Sequence, residues 1–381
     1  MNENIDMKYL LEESNRCLSC KNARCKNSCP ISTDIPNIIN LFKNEEYEKA
    51  GELIFNNNPM SMVCSLICPF ENQCMGNCIR GIKSTPVDFP AIENFLINNF
   101  LKKKIFDILP ETSNKKVAII GAGPSGLSAA IILKTQGYDI TIFDENQCMG
   151  GMLRYGIPDF RLSKKHIDLL EDKIEELGIK FIGNTFLDKE KLLAMKTSNE
   201  FDAILIAIGA WLPKKLEIEG HHLPHIFYGI DFLKNKTNLG TDKKVIVIGA
   251  GNVAMDVART AKRQGNNVTI AYRKKLSQAP ATNHEIKETI NDGVEFITEI
   301  SPVKFEENGI MFENTSTGED VFLECDSVII AISQYSLFDP EDKDIEGFFW
   351  AGDIVTGPQT VVKAALSGKE AAKQIHNYLS Y

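Results

Sequence analysis

The sequence predicts a mostly α N-terminal module followed by two doubly wound α/β domains, one inserted in the other. Three observations predict it. Eight of the ten cysteines fall between Cys17 and Cys78. The stretch "KKVAIIGAGPSGLSAAIILKTQGYDITIFDE" from Lys115 recurs without gaps as "KKVIVIGAGNVAMDVARTAKRQGNNVTIAYRK" from Lys243. Buried-strand patterns at Phe201 to Ala210 and Cys325 to Gln334 bracket the second copy, as expected of a chain that crosses twice between two domains.

Residues 1–110 combine cysteines, Asn and Lys with short helical patterns such as "DIPNIINLFKNEEYEKAGELIF" and no strand pattern. Their apolar content is thin, so the module is expected to need something besides a hydrophobic core. From residue 115 each repeat opens with a β-branched apolar run, turns on glycines, continues through an Ala-rich helical pattern and re-enters a strand. That is a β-α-β unit, twice, the signature of Rossmann-like dinucleotide-binding domains. The expected boundaries are 111–214 with 330–381 for one domain and 215–329 for the other.

A net charge of −9 over 381 residues argues against a nucleic-acid partner. The start, "MNENIDMKYLLEESN", is polar and acidic, unlike a signal or transit peptide. No apolar run reaches the roughly 18 residues of a membrane span. A soluble, cytoplasmic protein is expected, and in that compartment disulfides poorly explain ten cysteines. Cys148 and Cys325 read as small packing residues. The six histidines match no metal pattern, and His221, His222 and His225 read as solvated surface.

In "GAGPSG", Gly121 permits a tight turn and Gly123 lets the backbone approach a pyrophosphate. Pro124 and Ser125 open the helix, and Gly126 lets it pack closely on the strand. The helix N-terminus then offers free N–H groups and partial positive charge to phosphates. Asp144 and Glu145 end the next strand, where a carboxylate accepts from ribose hydroxyls.

The second loop repeats this with Gly249, Gly251, Asn252 and Val253, but Ala254 replaces the third glycine. Its following strand ends "AYRKK" instead of in an acid. A carboxylate would repel a ribose 2′-phosphate, whereas Arg273 with Lys274 or Lys275 pairs with it. NADPH is therefore expected at the second site and a flavin, FAD, at the first, linked by hydride transfer. In the tail "WAGDIVTGPQTVVKAAL", Gly352 and Asp353 are expected beside the ribityl chain. The helix beginning near Gln359 and Thr360 directs its positive end at the flavin ring.

The cysteines run Cys17-x2-Cys20-x4-Cys25-x3-Cys29-Pro, then Cys64-x3-Cys68-Pro and Cys74-x3-Cys78. Four thiolates also satisfy zinc. Iron–sulfur clusters are favoured because the run is dense, its Cys-Pro ending is that of ferredoxin-type ligand runs, and a flavin needs single-electron carriers.

The cysteine framework, "GAGPSGLSAA", "GGMLRYGIPDFRL", "GAGNVAMDVARTA", "YRKKLSQAPA" and "AGDIVTGPQTVVKAA" together resemble the glutamate synthase small-subunit family, nearly end to end. Its relatives include the N-terminal part of dihydropyrimidine dehydrogenase and the large subunit of NADH-dependent ferredoxin:NADP oxidoreductase. The resemblance implies two [4Fe–4S] clusters, one on Cys17, Cys20, Cys25 and Cys78, the other on Cys29, Cys68, Cys74 and Glu93. Counting thiols alone selects Cys64 in place of Glu93. It also implies that Gly151, Met152, Leu153 and Arg154 run beside the flavin.

The chain departs from the family in carrying Ser333 where a glycine is usual, Trp350 in "FWAGD", and a shortened connection between Gln334 and Gly347. The expected activity is electron input, from NADPH through FAD and two clusters to a partner subunit, either a glutamate synthase large subunit or another oxidoreductase. The alternatives are a subunit of an electron-bifurcating complex and a cluster relay with decayed nucleotide sites.

Overall fold

The computed structural model describes residues 6–102, 112–337 and 345–380. The expected domain boundary at 110/111 and the middle of the shortened connection lie outside these residues. The chain divides into two compact units: Met1–Arg154 with Asp159–Gly209 and Phe338–Tyr381, and Tyr155–Pro158 with Ala210–Leu337. It leaves the first unit after Gly209 and returns after Leu337.

The first unit opens with six helices: α1 (Met7–Arg16), α2 (Arg24–Asn27), α3 (Ile35–Lys43), α4 (Tyr47–Asn57), α5 (Ser61–Ile67) and α6 (Phe89–Leu101). Asp6 caps α1 by accepting from Lys8 N–H, and Asp88 caps α6 by accepting from Ala91 N–H. Prolines sit in the first turn of α3 and α6, where no amide partner is lost. On α4, a β-carbon at Gly51 would lie 2.6 Å from Phe100 Cβ, so the small residue lets α4 and α6 pack closely.

The expectation of a thin core is corrected here. Phe42, Ile38, Ile39, Met60, Met62, Ile92 and Leu96 are fully buried, and the rings of Phe42, Tyr47 and Phe95 meet at 5.2–5.9 Å. Their core is continuous with that of the following α/β fold, through Leu127, Leu205 and Ile375. The cysteine-rich helices thus share one body with the first glycine repeat, because their apolar residues are concentrated on few helix faces.

That repeat supplies β1 (Lys116–Ile120), α7 (Pro124–Thr135) and β2 (Asp139–Phe143), followed by α8 (Met152–Tyr155), α9 (Lys164–Glu176), β3 (Lys180–Ile182), α10 (Lys189–Thr197) and β4 (Ala203–Ile206).

The second unit then contains β5 (Leu212–Pro213), β6 (Ile226–Tyr228), α11 (Gly229–Lys234), β7 (Lys244–Ile248), α12 (Asn252–Arg263), β8 (Asn267–Tyr272), α13 (Asn283–Asn291) and β9 (Glu295–Thr298). Next come β10 (Ile300–Glu306), β11 (Gly309–Asn314), β12 (Asp320–Glu324), β13 (Ser327–Ile330) and β14 (Gln334–Tyr335). Returning to the first unit, the chain forms β15 (Phe348–Trp350), α14 (Asp353–Thr356) and α15 (Val361–Leu379).

The two main sheets correspond strand for strand, in the orders β15-β4-β1-β2-β3 and β6-β13-β7-β8-β9, every pair parallel. The central strands are buried beyond the exposed Lys116 and Lys244 that open β1 and β7, as expected of sheets covered on both faces. The second unit adds an antiparallel sheet, β10-β11-β12.

Within that unit α12 and α13 are held by a buried charge network. Arg259, 6 % exposed, pairs through Nε with Asp292 at 2.7 Å and through Nη1 with buried Glu285 at 3.1 Å. Removing the guanidinium leaves a buried carboxylate uncompensated, at a cost of about 3–5 kcal/mol. Arg259→Leu should therefore lower the urea midpoint of the second unit, and adding Glu285→Gln should recover part of the loss.

Candidate functional site

Strand β1 ends at Gly121, whose φ of +108° suits glycine. A β-carbon there would lie 2.4 Å from Ala207 O, and one at Gly126 would lie 2.0 Å from Gly121 O. The loop is thus drawn against the end of β4 while α7 is drawn onto β1. Gly123 precedes α7, which has no side-chain cap, leaving its first-turn N–H groups for a ligand. The second loop reproduces this: Gly249 has φ +126° and would strike Ala331 O at 2.3 Å, and a β-carbon at Gly251 would meet open space. Ala254 is fully buried in the core beside α12, so its methyl is accommodated where the first copy needs Gly126. Val253 packs partly buried against the same core.

At the first loop Gly150 N–H donates to Ala122 O at 2.8 Å, and Gly151, at φ +52°, lies so close that its β-carbon would come 2.7 Å from Gly123 Cα. Met152 and Leu153 follow on α8, with Leu153 fully buried. The Arg154 guanidinium is committed to Asp168 and Glu171, both at 2.8 Å, and to Met149 O. Asp144 is likewise committed: its Oδ2 accepts from Ala122 N–H at 2.7 Å and its Oδ1 from Asn146. It braces the glycine loop, and Glu145 is the exposed acid at that strand end.

The C-terminal segment comes to the same loop. A β-carbon at Gly352 would lie 2.9 Å from Ser125 Cβ, and one at Gly368, on α15, 2.1 Å from Ser125 O. Helix α15 begins after Thr360 without a side-chain cap. Asp353 Oδ1 accepts from Gln359 N–H at 3.2 Å. The buried Ser125 Oγ and Thr360 Oγ1 have no hydrogen-bond partner among the described residues. Uncapped helix starts, unpartnered hydroxyls and glycine-lined backbone suit a phosphate-bearing flavin dinucleotide.

At the second loop, Asn252 Oδ1 accepts from Thr282 N–H at 3.2 Å and Ala250 O from Ala281 N–H at 3.0 Å. Residues 278–282 therefore strap the loop, a feature not deduced above, although Thr282 and Glu285 form a recognisable capping pair. Arg273 and Lys274 follow β8, exposed and without an ion pair among the described residues.

The cysteines form two neighbouring sets. Cys17, Cys20, Cys25 and Cys78 line one cavity, with Cys74 on its wall. Burial pushes the Cys25 thiol up to about 11, with Cys78, Cys17 and Cys20 adding to the rise. In the other set, a hydrogen bond with Cys64, burial, and the nearby Glu93 and Cys74 hold Cys68 well above the ordinary thiol range. Burial, then Glu93 and Cys29, do the same to Cys74. Burial pushes the Glu93 carboxyl up to about 7, against the bond that Ser61 Oγ donates to it.

Among the described residues no three His, Cys, Asp or Glu side chains converge tightly enough for a single metal ion. Groups crowded in this way resist ionising together, and cationic iron reverses that preference. Sequence reasoning did not reveal Ser61, since a lone serine in a helix carries no signal.

Two departures also acquire a structural reading. Ser333 holds φ +145° at the position where the first copy has Gly209 at φ +73°, so a side chain is strained there. Trp350 packs beside Ile120, Ile206 and Phe201, with its Nε1 buried and unpartnered among the described residues. Of the remaining cysteines, Cys325 is buried in a core, as expected. No helix among the described residues is long and apolar enough to cross a membrane.

Burial raises the Asp353 carboxyl from 3.8 to about 6. A folded-state value above the unfolded one favours folding fully below the unfolded value, and that advantage is lost as pH rises through the folded value. Asp353 should therefore contribute a fall in stability of about 2 kcal/mol between pH 4 and 6. Asp353→Asn should flatten that part of the Tm profile and lower the flavin retained on gel filtration.

Residues 115–335 match the family described as pyridine nucleotide-disulphide oxidoreductase. Residues 1–105 match that of dihydropyrimidine dehydrogenase domain II, 4Fe-4S cluster. The NAD-dependent dihydropyrimidine dehydrogenase subunit PreT of Escherichia coli is 34% identical over 396 residues, covering 97% of this chain and 94% of that protein. The glutamate synthase [NADPH] small chain of Escherichia coli is 30% identical over 434 residues, covering 96% of this chain and 91% of that protein. The solved structure of Mycobacterium tuberculosis FprA in complex with NADPH shares the fold, with a TM-score of 0.59 at 18% identity over 70% of this chain and 84% of that one.

Proposed function

This chain belongs to the pyridine nucleotide-disulphide oxidoreductase family, and we propose from that premise that it is the electron-input subunit of a larger redox complex. It is an NAD(P)H-dependent oxidoreductase that uses FAD and 4Fe–4S chemistry. We read the electron path as NADPH to FAD to two [4Fe–4S] clusters to a partner subunit.

One observation supports this reading above the others: the flavin-type loop and the cysteine helices belong to one folded body. Lys369, on the helix that packs against Ser125, donates to Asn57 O at 2.9 Å and Asn57 Oδ1 at 2.8 Å, at the end of α4. Burial lowers the pKa of that ammonium, and the two Asn57 oxygens replace part of its lost hydration. A bolted junction keeps donor and acceptor positions fixed, which electron transfer between bound groups requires. When bound, the flavin exchanges a hydride for single electrons and the clusters conduct them.

The chain's own residues bind and orient. The N-terminus of α7 and the Gly123 backbone take phosphate, Glu145 takes ribose, and Gly352, Asp353 and the start of α15 take the ribityl chain and ring. The loop at Gly249 to Val253 takes the second pyrophosphate, and Arg273 with Lys274 takes a 2′-phosphate. For the clusters, we assign Cys17, Cys20, Cys25 and Cys78 to one and Cys29, Cys68, Cys74 and Glu93 to the other. Glu93 is supported by its burial beside both Cys68 and Cys74. The intact glycine geometry at both loops speaks against decayed nucleotide sites.

The relatives' names supply two kinds of partner, the catalytic part of a dihydropyrimidine dehydrogenase and the large subunit of a glutamate synthase. The ten free thiols suit a cytoplasmic complex.

Anaerobic addition of NADPH should bleach the flavin, and persistent flavin absorbance would defeat the reading. Arg273→Ala should raise KM for NADPH about tenfold and leave that for NADH unchanged. A wild type that prefers NADH contradicts the assignment. Glu93→Ala should lower iron from about eight to about four atoms per chain and remove one electron paramagnetic resonance signal, whereas Cys64→Ser should retain both clusters. The opposite result transfers the ligand role to Cys64.

A further inference from the structure

The net charge of −9 hides a local reversal. Residues 14–33 and 72–87 carry six of the 42 Lys and Arg side chains and none of the 51 Asp and Glu. Both segments border one place: Leu18, Arg24, Ile79 and Arg80 line the same cavity as Cys17, Cys20, Cys25 and Cys78. Arg16 and Lys26 are neutralised by Glu13 and Asp34. Lys21, Arg24 and Lys83 are exposed and form no ion pair among the described residues. Arg80 Nε is buried without a hydrogen-bond partner among them.

Apolar side chains stand among these cations. Leu18 is 55% exposed, Ile79 38% and Ile82 68%. Single exposed aliphatics need no explanation. Two of them line one cavity and the third follows Ile79 by three residues; with a charged surround they have the composition of a protein interface, with an apolar centre and a polar rim.

We propose that this face is the docking surface for the electron-accepting partner, and that the partner presents an acidic surface to it. The inference rests on the electron-transfer reading and adds where electrons leave and what receives them. Each NAD(P)H oxidised to NAD(P)+ yields one proton and two electrons, and the electrons cross this face singly to reduce two one-electron centres. Membranes and nucleic acids also attract cations but accept no electrons, and this basic ground lies at the thiols of the first cluster set. Arg24 and Arg80 line the cavity itself. Lys21 and Lys83 do not line it, so they report on docking alone. Opposite charge on the partner steers encounter and is screened by salt.

The test uses the holoprotein with three acceptors: acidic cytochrome b5, basic cytochrome c and the neutral quinone menadione. Wild type should reduce cytochrome b5 faster than cytochrome c at low ionic strength, and the b5 rate should fall about tenfold on adding salt. The double variant Lys21→Glu, Lys83→Glu should lose about tenfold with cytochrome b5 at low salt. It should keep wild-type iron, flavin and menadione reduction, and Ile82→Ser should weaken b5 reduction at all salt concentrations.

A preference for cytochrome c, no reduction of either cytochrome, or an unaltered double variant overturns the proposal. So does charge-dependent binding to anionic vesicles or RNA combined with salt-independent b5 reduction. Failure of wild type to reduce menadione defeats the electron-transfer reading itself, and this inference with it.

Discussion

The structure depends on a contact in which a side chain would not fit. At Gly121 and again at Gly249 the backbone lies against the carbonyl of Ala207 or Ala331, so close that any β-carbon would overlap it. Each contact pins a nucleotide loop to the strand next to it, β4 or β13. The chain changes units just beyond β4 and, after the short β14, beyond β13. The glycines therefore hold open a phosphate-sized space at the start of α7 or α12 and fix the place from which the chain crosses over. A methyl group at either position would separate loop from strand and disturb both functions at once.

This dual constraint explains which parts were legible in the sequence. Backbone contacts of this kind leave a residue type behind, so the glycines, the repeat and the inserted arrangement could all be inferred, as could the cysteine spacing. Contacts made by ordinary residues leave no such trace. The bond from Ser61 to Glu93, the strap at Ala281 and Thr282, and the pairing of Lys369 with Asn57 join positions far apart in sequence through unremarkable side chains. The antiparallel sheet β10-β11-β12 went unforeseen because its strands are only partly buried, β12 alternating exposed and half-buried residues, and β10 carries a register shift between Pro302 and Lys304. Asp144 shows a subtler limit. Its position in the motif was legible, but its use by the loop's own amide was not.

Charge shows the same contrast between a sum and its distribution. The total of −9 suggested that no basic surface existed. In three dimensions the cysteine-bearing segments gather more cations than acids, with Glu13 and Asp34 at their edges pairing with Arg16 and Lys26, for a physical reason. Burial raises the pKa of Cys25, Cys74 and Glu93, and neighbouring thiols at Cys25, or Glu93 and Cys29 at Cys74, add to the rise. Further acids nearby would add to that repulsion, whereas Lys and Arg relieve it. A mainly basic, partly apolar rim is thus favoured by the chemistry of the ligands before any partner is considered.

The helical module was expected to need something besides a hydrophobic core, and its packing points elsewhere. Small metal-organised domains fold with their ions because they lack a core. Here Phe42, Ile38, Ile39, Met62 and Leu96 are buried in a core that runs without a break into β1, α7 and α15. Cys17, Cys25, Cys29, Cys68, Cys74 and Cys78 sit at the margin of that core, Cys25 on the short helix α2 and the others between helices, while Cys64 is buried within it on α5. The apolar core therefore positions the ligands, and the metal chemistry completes a scaffold that the hydrophobic effect has already assembled. That division lets cluster ligation be tuned at Glu93 or Cys64 without placing the fold, or the flavin loop bolted to it, at the mercy of one bond.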